Sequence, residues 1–371
     1  MVNAGYIAST YVLITLAELW VSAIGLSMIG LYCDKKMLGF AMGAQVIKIE
    51  NKLTNGDVTR SWRLAAENKE TTISAYYASV NWNKRSVFLD LNKSEDKQQV
   101  YNYIKDADIV ISNYKPGDDQ KLGMDYETLK KINSTLIYAH LTGFGKFNKR
   151  TAYDLVLQAE TGFMYINGTK ESGPLKMPVA LIDVLAAHQM KEAILIALIK
   201  RIKTGKGSSI HVSLFDSAIA SLANQASNWL MTKFDPQPIG SLHPNIAPYG
   251  ETFITKDKKQ IVLAVGNDKQ FEKLCVSLNC EELFKNVKFA SNSNRVKNRN
   301  ELFLLLQPIF ENRISAELMN NFILKDIPAG IVKSVKEVFD TPEINSLILT
   351  ENNGVDNESK RVKTLAFSIY D

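Results

Sequence analysis

The chain has 371 residues, 46% of them hydrophobic, which points to two domains and excludes wholesale disorder. Its 44 basic and 39 acidic residues leave a net charge of +5 with the signs interspersed, which argues against a nucleic-acid face and suits a small anionic ligand. Cys33, Cys275 and Cys280 have neither metal-ligand spacing nor the pattern of a disulfide framework, which suits a reducing cytoplasm.

Residues 11–33 are almost wholly apolar, with Glu18 the single charge. The run is long enough to cross a bilayer, but a carboxylate at its middle is costly in lipid and no basic cluster precedes it. A buried strand and helix is the preferred reading, with a membrane anchor as its rival. From residue 45 the pattern alternates. Strands are predicted at 45–50, 86–91, 108–112 and 136–141. A helix opens at Ser94-Glu95 and carries Val100, Tyr101 and Ile104 at helical spacing, and a shorter one starts near Asp125. Pro116-Gly117 and Gly143-Phe144-Gly145 are turns. Alternating strands and helices imply a mostly parallel sheet covered on both faces, with ligands beyond the carboxyl ends of its strands.

A long helix is predicted over 184–203. Its apolar residues cover most of the circumference, so it is expected to be buried, and Gly205 ends it. A strand at 210–214 and a helix at 217–231 follow. The Pro- and Gly-rich stretch 234–248 reads as a linker. A hairpin at 251–255 and 260–265 comes next, then helices at 269–278, 300–310 and 316–324, a short strand at 331–333 and a helix at 334–339. That style suits a smaller α+β domain.

Several segments, in order, resemble the class III CoA-transferases, the family of formyl-CoA and carnitine CoA-transferases. They include Gly43-Ala44-Gln45-Val46-Ile47-Lys48-Ile49-Glu50, Gly56-Asp57 with Arg60, Asn83-Lys84-Arg85-Ser86 and Asn113-Tyr114-Lys115-Pro116-Gly117. Leu141-Thr142-Gly143-Phe144-Gly145, Ala152-Tyr153-Asp154, Gln158-Ala159, the stretch from Pro178 to Asp183 and Thr204-Gly205-Lys206-Gly207 continue the series. His243-Pro244, Pro248-Tyr249-Gly250, Gly266-Asn267 and Ile327-Pro328-Ala329-Gly330 extend it toward residue 340. Ala23-Ile24-Gly25 and Ile29-Gly30-Leu31 are only partial echoes of the family's N-terminal Ala-Gly-Pro turn, and the family usually runs further past a position equivalent to Asp371.

The resemblance implies an α/β fold: a Rossmann-like large domain with a parallel sheet, a smaller α+β domain, and an intertwined homodimer. The expected divisions are 1–205 for the large CoA-binding domain, 206–240 for a linker helix and loop, 241–340 for the small domain, and 341–371 for a segment returning to the large one. It implies transfer of CoA between an acyl-CoA and a small carboxylic acid, with CoA as substrate and no prosthetic group. Asp183 takes the place of the nucleophile. By residue type alone it reads as a helix N-cap; the resemblance reassigns it. The same resemblance marks Asn83, Lys84, Arg85, Asn113, Tyr114, Lys115, Lys121, Thr142, Gly143, Phe144 and Gly145 as CoA-binding. For the lysines the competing reading is a solvated side chain, and for Gly143-Phe144-Gly145 a tight turn. Tyr153 stands where the related α-methylacyl-CoA racemases place a histidine, which favours transfer over racemisation. His188, His140, His211 and His243 read as structural, with a dyad of His188 and Asp183 as the alternative. No metal set emerges. Rival functions are a catalytically impaired CoA-binding homologue and a racemase-like enzyme.

Overall fold

The computed structural model describes residues 11–15, 45–68, 71, 73–82, 84–352 and 358–363. The chain divides into two units: residues 1–165, 175–236 and 347–371 form the larger, and 166–174 with 237–346 form the smaller. The stretch 206–236, expected as part of a linker, belongs to the larger unit and supplies a strand to its sheet.

In chain order the strands of the larger unit are β1 (Tyr11–Thr15), β2 (Gln45–Asn51), β3 (Lys84–Leu89), β4 (Ile109–Ser112) and β5 (Ile137–Thr142). After a two-residue-per-strand hairpin of the smaller unit, β6 (Gly168–Thr169) with β7 (Gly173–Pro174), comes β8 (Ser208–Ser213). The sheet order is β3-β2-β1-β4-β5-β8 and every pair is parallel. This is a doubly wound order whose reversal falls between β1 and β4. The apolar run that begins at Tyr11 therefore starts as the central strand of a sheet. The rest of that run, Cys33 and the partial Ala-Gly echoes lie outside the described residues. Among the described residues no helix is long and apolar enough to cross a membrane.

Side-chain alternation sorts the strands into two cores. Ile109 and Ile111 of β4 pack with Ile137, Ala139 and Leu141 of β5 against Leu157, Ile182, Ala186 and Met190. The intervening Val110 and Tyr138 pack on the other face with Val100 and Ile104 of the helix Ser94–Asp106.

The helix Leu181–Thr204 starts earlier than the sequence suggests and runs for 24 residues, about 36 Å. Its last turn is tied to the amino end of β4, where Arg201 Nη2 donates to Asp108 Oδ1 at 2.7 Å. Its first turn therefore lies at the carboxyl edge of the sheet. The expectation that it is buried all round fails: Leu195, Ile196, Ile199 and Ile202 are exposed, Ile202 by 84%. The predicted helix 217–231 is two helices, Leu214–Ala220 and Asn224–Thr232, broken where Ala223 takes a φ of +49°.

The smaller unit holds β9 (Tyr249–Ile254), β10 (Gln260–Ala264) and β11 (Ala329–Ile331) in an antiparallel sheet of order β11-β10-β9. Phe253, Phe271, Phe310 and Phe322 form its core with the helices Asp268–Leu278, Arg299–Glu311 and Ser315–Leu324. The hairpin of β12 (Ile348–Asn352) and β13 (Glu358–Val362) belongs to the larger unit.

At the carboxyl end of β2 a charge is buried and compensated. Glu50, 3% exposed, accepts hydrogen bonds from Arg60 Nε at 2.9 Å, Arg60 Nη2 at 2.8 Å, the Asp57 N–H at 2.8 Å, the Tyr77 hydroxyl at 2.9 Å and the Ser86 hydroxyl at 2.8 Å. The Arg60 guanidinium stacks on the Tyr77 ring at 3.9 Å, and Lys48 pairs with Asp57. Gly56 is required here: its φ is +89° and a Cβ would fall 2.3 Å from Glu50 Oε2. Burial pushes the Glu50 carboxyl up, but Arg60, Lys48 and the Asp57 N–H outweigh it and hold the pKa at about 2, against an ordinary value of 4.5. The resulting stability, about 3 kcal/mol, is fully present above pH 4.5 and is lost as pH falls toward 2. Melting temperatures of the wild type and Glu50→Gln across that window should therefore converge as pH drops. A gap between them that stays constant from pH 7 to pH 2 would refute this assignment.

Candidate active site

The reversal in strand order opens the sheet beyond the carboxyl ends of β1 and β4, and the chain leaving β4 there is Asn113-Tyr114-Lys115. Asn113 is 3% exposed, and neither its amide nitrogen nor its oxygen has a hydrogen-bond partner among the described residues. A buried primary amide without a partner among the described residues is uncommon. Tyr114 is buried, and its carbonyl accepts the Nε2–H of His140 at 3.0 Å. Burial pulls the His140 imidazole below its ordinary pKa despite Asp119 Oδ2 3.9 Å from Nδ1, so the ring is neutral at pH 7 and holds the turn by this hydrogen bond. One strand further on, Thr142 Oγ1 meets His211 Nε2 at 3.0 Å, and burial lowers the His211 pKa as well.

Three contacts join these strand ends to Asp183. Lys115 Nζ donates to Thr151 Oγ1 at 3.4 Å. A Cβ on Gly143 would meet the Cβ of Ala152 at 2.1 Å, so the end of β5 lies directly against residue 152. Two residues later Asp154 Oδ1 accepts the Ile182 N–H at 2.8 Å, in the first turn of the long helix. Asp183 is the next residue and is fully buried. Asn113, Tyr114, Lys115, Thr142, Gly143, Phe144, Gly145 and Asp183 thus collect along one edge of the sheet.

This geometry changes the expected role of several residues. Asp183 is not the N-cap. Ala180 holds that position without a side-chain cap, Asp183 is third in the helix, and Asp154 supplies the carboxylate that caps it. The close approach at Gly143 is to Ala152, a packing need. Phe144 packs into the core near Phe215, with the Arg150 guanidinium 4.1 Å above its ring. Gly145 keeps a φ of +98° with open space where a Cβ would go.

Lys84 and Arg85 begin β3, at the opposite edge of a parallel sheet from Asn113 and Thr142. Lys84 Nζ donates to the Val80 carbonyl at 2.7 Å, and burial drives its pKa well below the ordinary lysine value. Arg85 Nη2 donates to the Tyr103 hydroxyl at 3.3 Å. Lys121 is exposed on the short helix Asp118–Leu122, where Nζ meets Asp118 Oδ1 at 2.6 Å. Asn83 lies outside the described residues. His188 Nδ1 contacts Lys191 Nζ at 3.1 Å. Tyr153, 38% exposed, is the N-cap of the helix Asp154–Glu160. Among the described residues no group of His, Cys, Asp and Glu side chains could hold a metal ion.

Sequence reasoning missed the pair Asp154 and Gln158. Gln158 Nε2 donates to Asp154 Oδ2 at 2.6 Å, and Gln158 Oε1 accepts the Met177 N–H at 2.8 Å. Their i, i+4 spacing on one helix was the available signal.

Comparison with known proteins agrees with this architecture. A family model described as CoA-transferase family III matches residues 16–367. A succinate–glutarate CoA-transferase of Agrobacterium fabrum is 35% identical over 82% of this chain and 77% of its own length. A succinyl-CoA:glutarate CoA-transferase of Homo sapiens is 34% identical over 83% of this chain and 70% of its own. The crystal structure of a CAIB/BAIF family protein from Brucella suis superposes with a TM-score of 0.81 at 35% identity, covering 98% of this chain and 93% of that one. A buried carboxylate at the carboxyl edge of a doubly wound sheet, in a chain matched along nearly its whole length, leads to one conclusion: this protein belongs to CoA-transferase family III.

Proposed function

We propose that the protein exchanges CoA between an acyl-CoA and a free carboxylic acid with Asp183 as covalent nucleophile. The observation that carries this reading is the complete burial of Asp183 in a helix turn already capped by another carboxylate. Burying a carboxylate costs several kcal/mol, and the helix is capped by Asp154 and not by Asp183. The helix N-terminus favours the ionised form that a nucleophile needs.

The Asp183 carboxylate attacks the thioester carbonyl, forming a mixed anhydride and expelling CoA thiolate. The thiolate attacks the aspartyl carbonyl, giving an aspartyl-CoA thioester and releasing the donor acid. The acceptor carboxylate then attacks that thioester, forming a second mixed anhydride and expelling CoA thiolate, and the thiolate attacks the acceptor's acyl carbon, releasing the Asp183 carboxylate. Splitting one exchange into anhydride and thioester steps lowers each barrier. Asn113 through Lys115 and Thr142 through Gly145 form the CoA-facing wall in this reading, and the Asn113 amide, without a partner among the described residues, is its first polar contact. Lys84 and Arg85, which begin β3 at the opposite edge, carry none of it. Tyr153 is a phenol and does not serve as a base toward an α-carbon at neutral pH, which keeps the reaction to transfer.

We also propose the interlocked homodimer. Its support is the exposed stripe Leu195, Ile196, Ile199 and Ile202, an apolar face too large to leave in water on a helix of this length. The division into two lobes follows the two compact units, and free buried thiols at Cys275 and Cys280 suit a reducing cytoplasm.

Two experiments test these readings. The names of the relatives direct the first choice of substrates, succinyl-CoA as donor and glutarate as acceptor. Asp183→Asn should lower transfer by about a thousandfold or more with little change in fold, because an amide forms neither intermediate. Hydroxylamine should modify Asp183 of the wild type only when donor is present. Full transfer by Asp183→Asn, or trapping at another carboxylate, overturns the assignment, and CoA binding without turnover by any donor favours the impaired homologue. Sedimentation should find a dimer that persists on dilution, and Ile196→Asp with Ile202→Asp should weaken it. A compact monomer of the wild type at low concentration removes the dimer.

A further inference from the structure

We infer that Asp154 and Gln158 form a positioning clamp that fixes the first turn of the Leu181–Thr204 helix and so aims the Asp183 carboxylate; the inference rests on Asp183 as nucleophile. Both residues are at least nine-tenths buried and stand one turn apart on the helix Asp154–Glu160. Asp154 divides its two oxygens: Oδ1 accepts the Ile182 N–H at 2.8 Å and Oδ2 accepts Gln158 Nε2 at 2.6 Å. Gln158 divides its amide in the same way. Oε1 accepts the Met177 N–H at 2.8 Å, while Nε2 also lies 3.3 Å from the Met177 carbonyl and 3.4 Å from the Val179 carbonyl. One carboxylate and one amide therefore hold the chain at 177, 179 and 182, on both sides of the helix start.

The segment needs such a clamp because Ala180 offers no side-chain cap and backbone N–H groups of the first turn have no partner within the helix. Leu181 N–H bonds only locally, to the Val179 carbonyl at 2.7 Å. Without the clamp the turn bearing Asp183 is free to tilt, and a misplacement of about 1 Å at a reacting group costs about a hundredfold in rate. Neither clamp residue touches the reacting atoms. Asp154 acts through Ile182, and Gln158 acts through Asp154 and the chain at Met177 and Val179.

The test exchanges donor and acceptor. Asp154→Asn keeps an oxygen for Ile182 but turns an NH2 toward the Gln158 NH2. Gln158→Glu keeps an oxygen for Met177 but sets two buried carboxylates against each other. The double substitution puts a donor opposite an acceptor again and gives up only the longer contacts to the Met177 and Val179 carbonyls. Each single change should lower kcat by about 10- to 100-fold with KM for the acyl-CoA within about threefold, and the double should recover about tenfold. Hydrogen exchange of the peptide containing Ile182 should quicken in the singles and slow again in the double. If a single variant unfolds at the assay temperature, Gln158→Met, which keeps side-chain volume, replaces it. The clamp is overturned if wild type is trapped at Asp183 yet the singles keep kcat within about twofold, or if the double rescues neither rate nor exchange. Trapping at another carboxylate with the exchange pattern intact overturns the nucleophile, not the clamp.

Discussion

Parallel register governs this molecule. Because all six strands of the larger unit point one way, their carboxyl ends lie along one edge. A helix packed against such a sheet must run back along it. Arg201 holds the far end of the Leu181–Thr204 helix to Asp108 at the amino edge, which leaves the near end, with Asp183, where the β4 and β5 loops emerge. The nucleophile proposed for this family member thus takes its place from strand direction and helix length. No local motif could set that position alone.

Among the described residues, several segments at this edge are held by polar side chains. Glu50 gathers Arg60, Tyr77, Ser86 and the Asp57 N–H beyond β2. His140 holds the Tyr114 carbonyl beyond β4, Thr142 meets His211 beyond β5, and Asp154 holds Ile182. A buried polar group without partners is costly, so a satisfied one allows few alternative loop conformations. Among the described residues the Asn113 amide stands without such a partner.

Two of the sequence readings show how a motif leaves its physical cause open. Gly143-Phe144-Gly145 suggests backbone room for a ligand. The structure uses Gly143 to admit Ala152 and Phe144 to fill the core. Asp183 before an apolar helix suggests a cap, yet the cap comes from Asp154, nearly thirty residues earlier in the chain. Sequence proximity identifies the residue, but the partner that explains it arrives from another element.

The sequence by itself determined the alternation of strands and helices, the two styles of domain and the family, and through the family resemblance it put Asp183 forward as the candidate nucleophile. Those follow from side-chain periodicity, turn residues and ordered motifs, which are local or near-local properties. Boundaries moved by a few residues, as with β3 and the start of the long helix, because propensity is weak at element ends. Only the tertiary structure decided that Lys84 and Arg85 start a strand at the far edge from Asn113 and Thr142. It alone showed that Asp154 and Gln158 grip the chain ahead of Asp183, and that one face of the long helix stays exposed. These depend on strand order and on contacts between residues distant in sequence. A pattern along one chain records which side chains are present, but not which of them meet across the sheet.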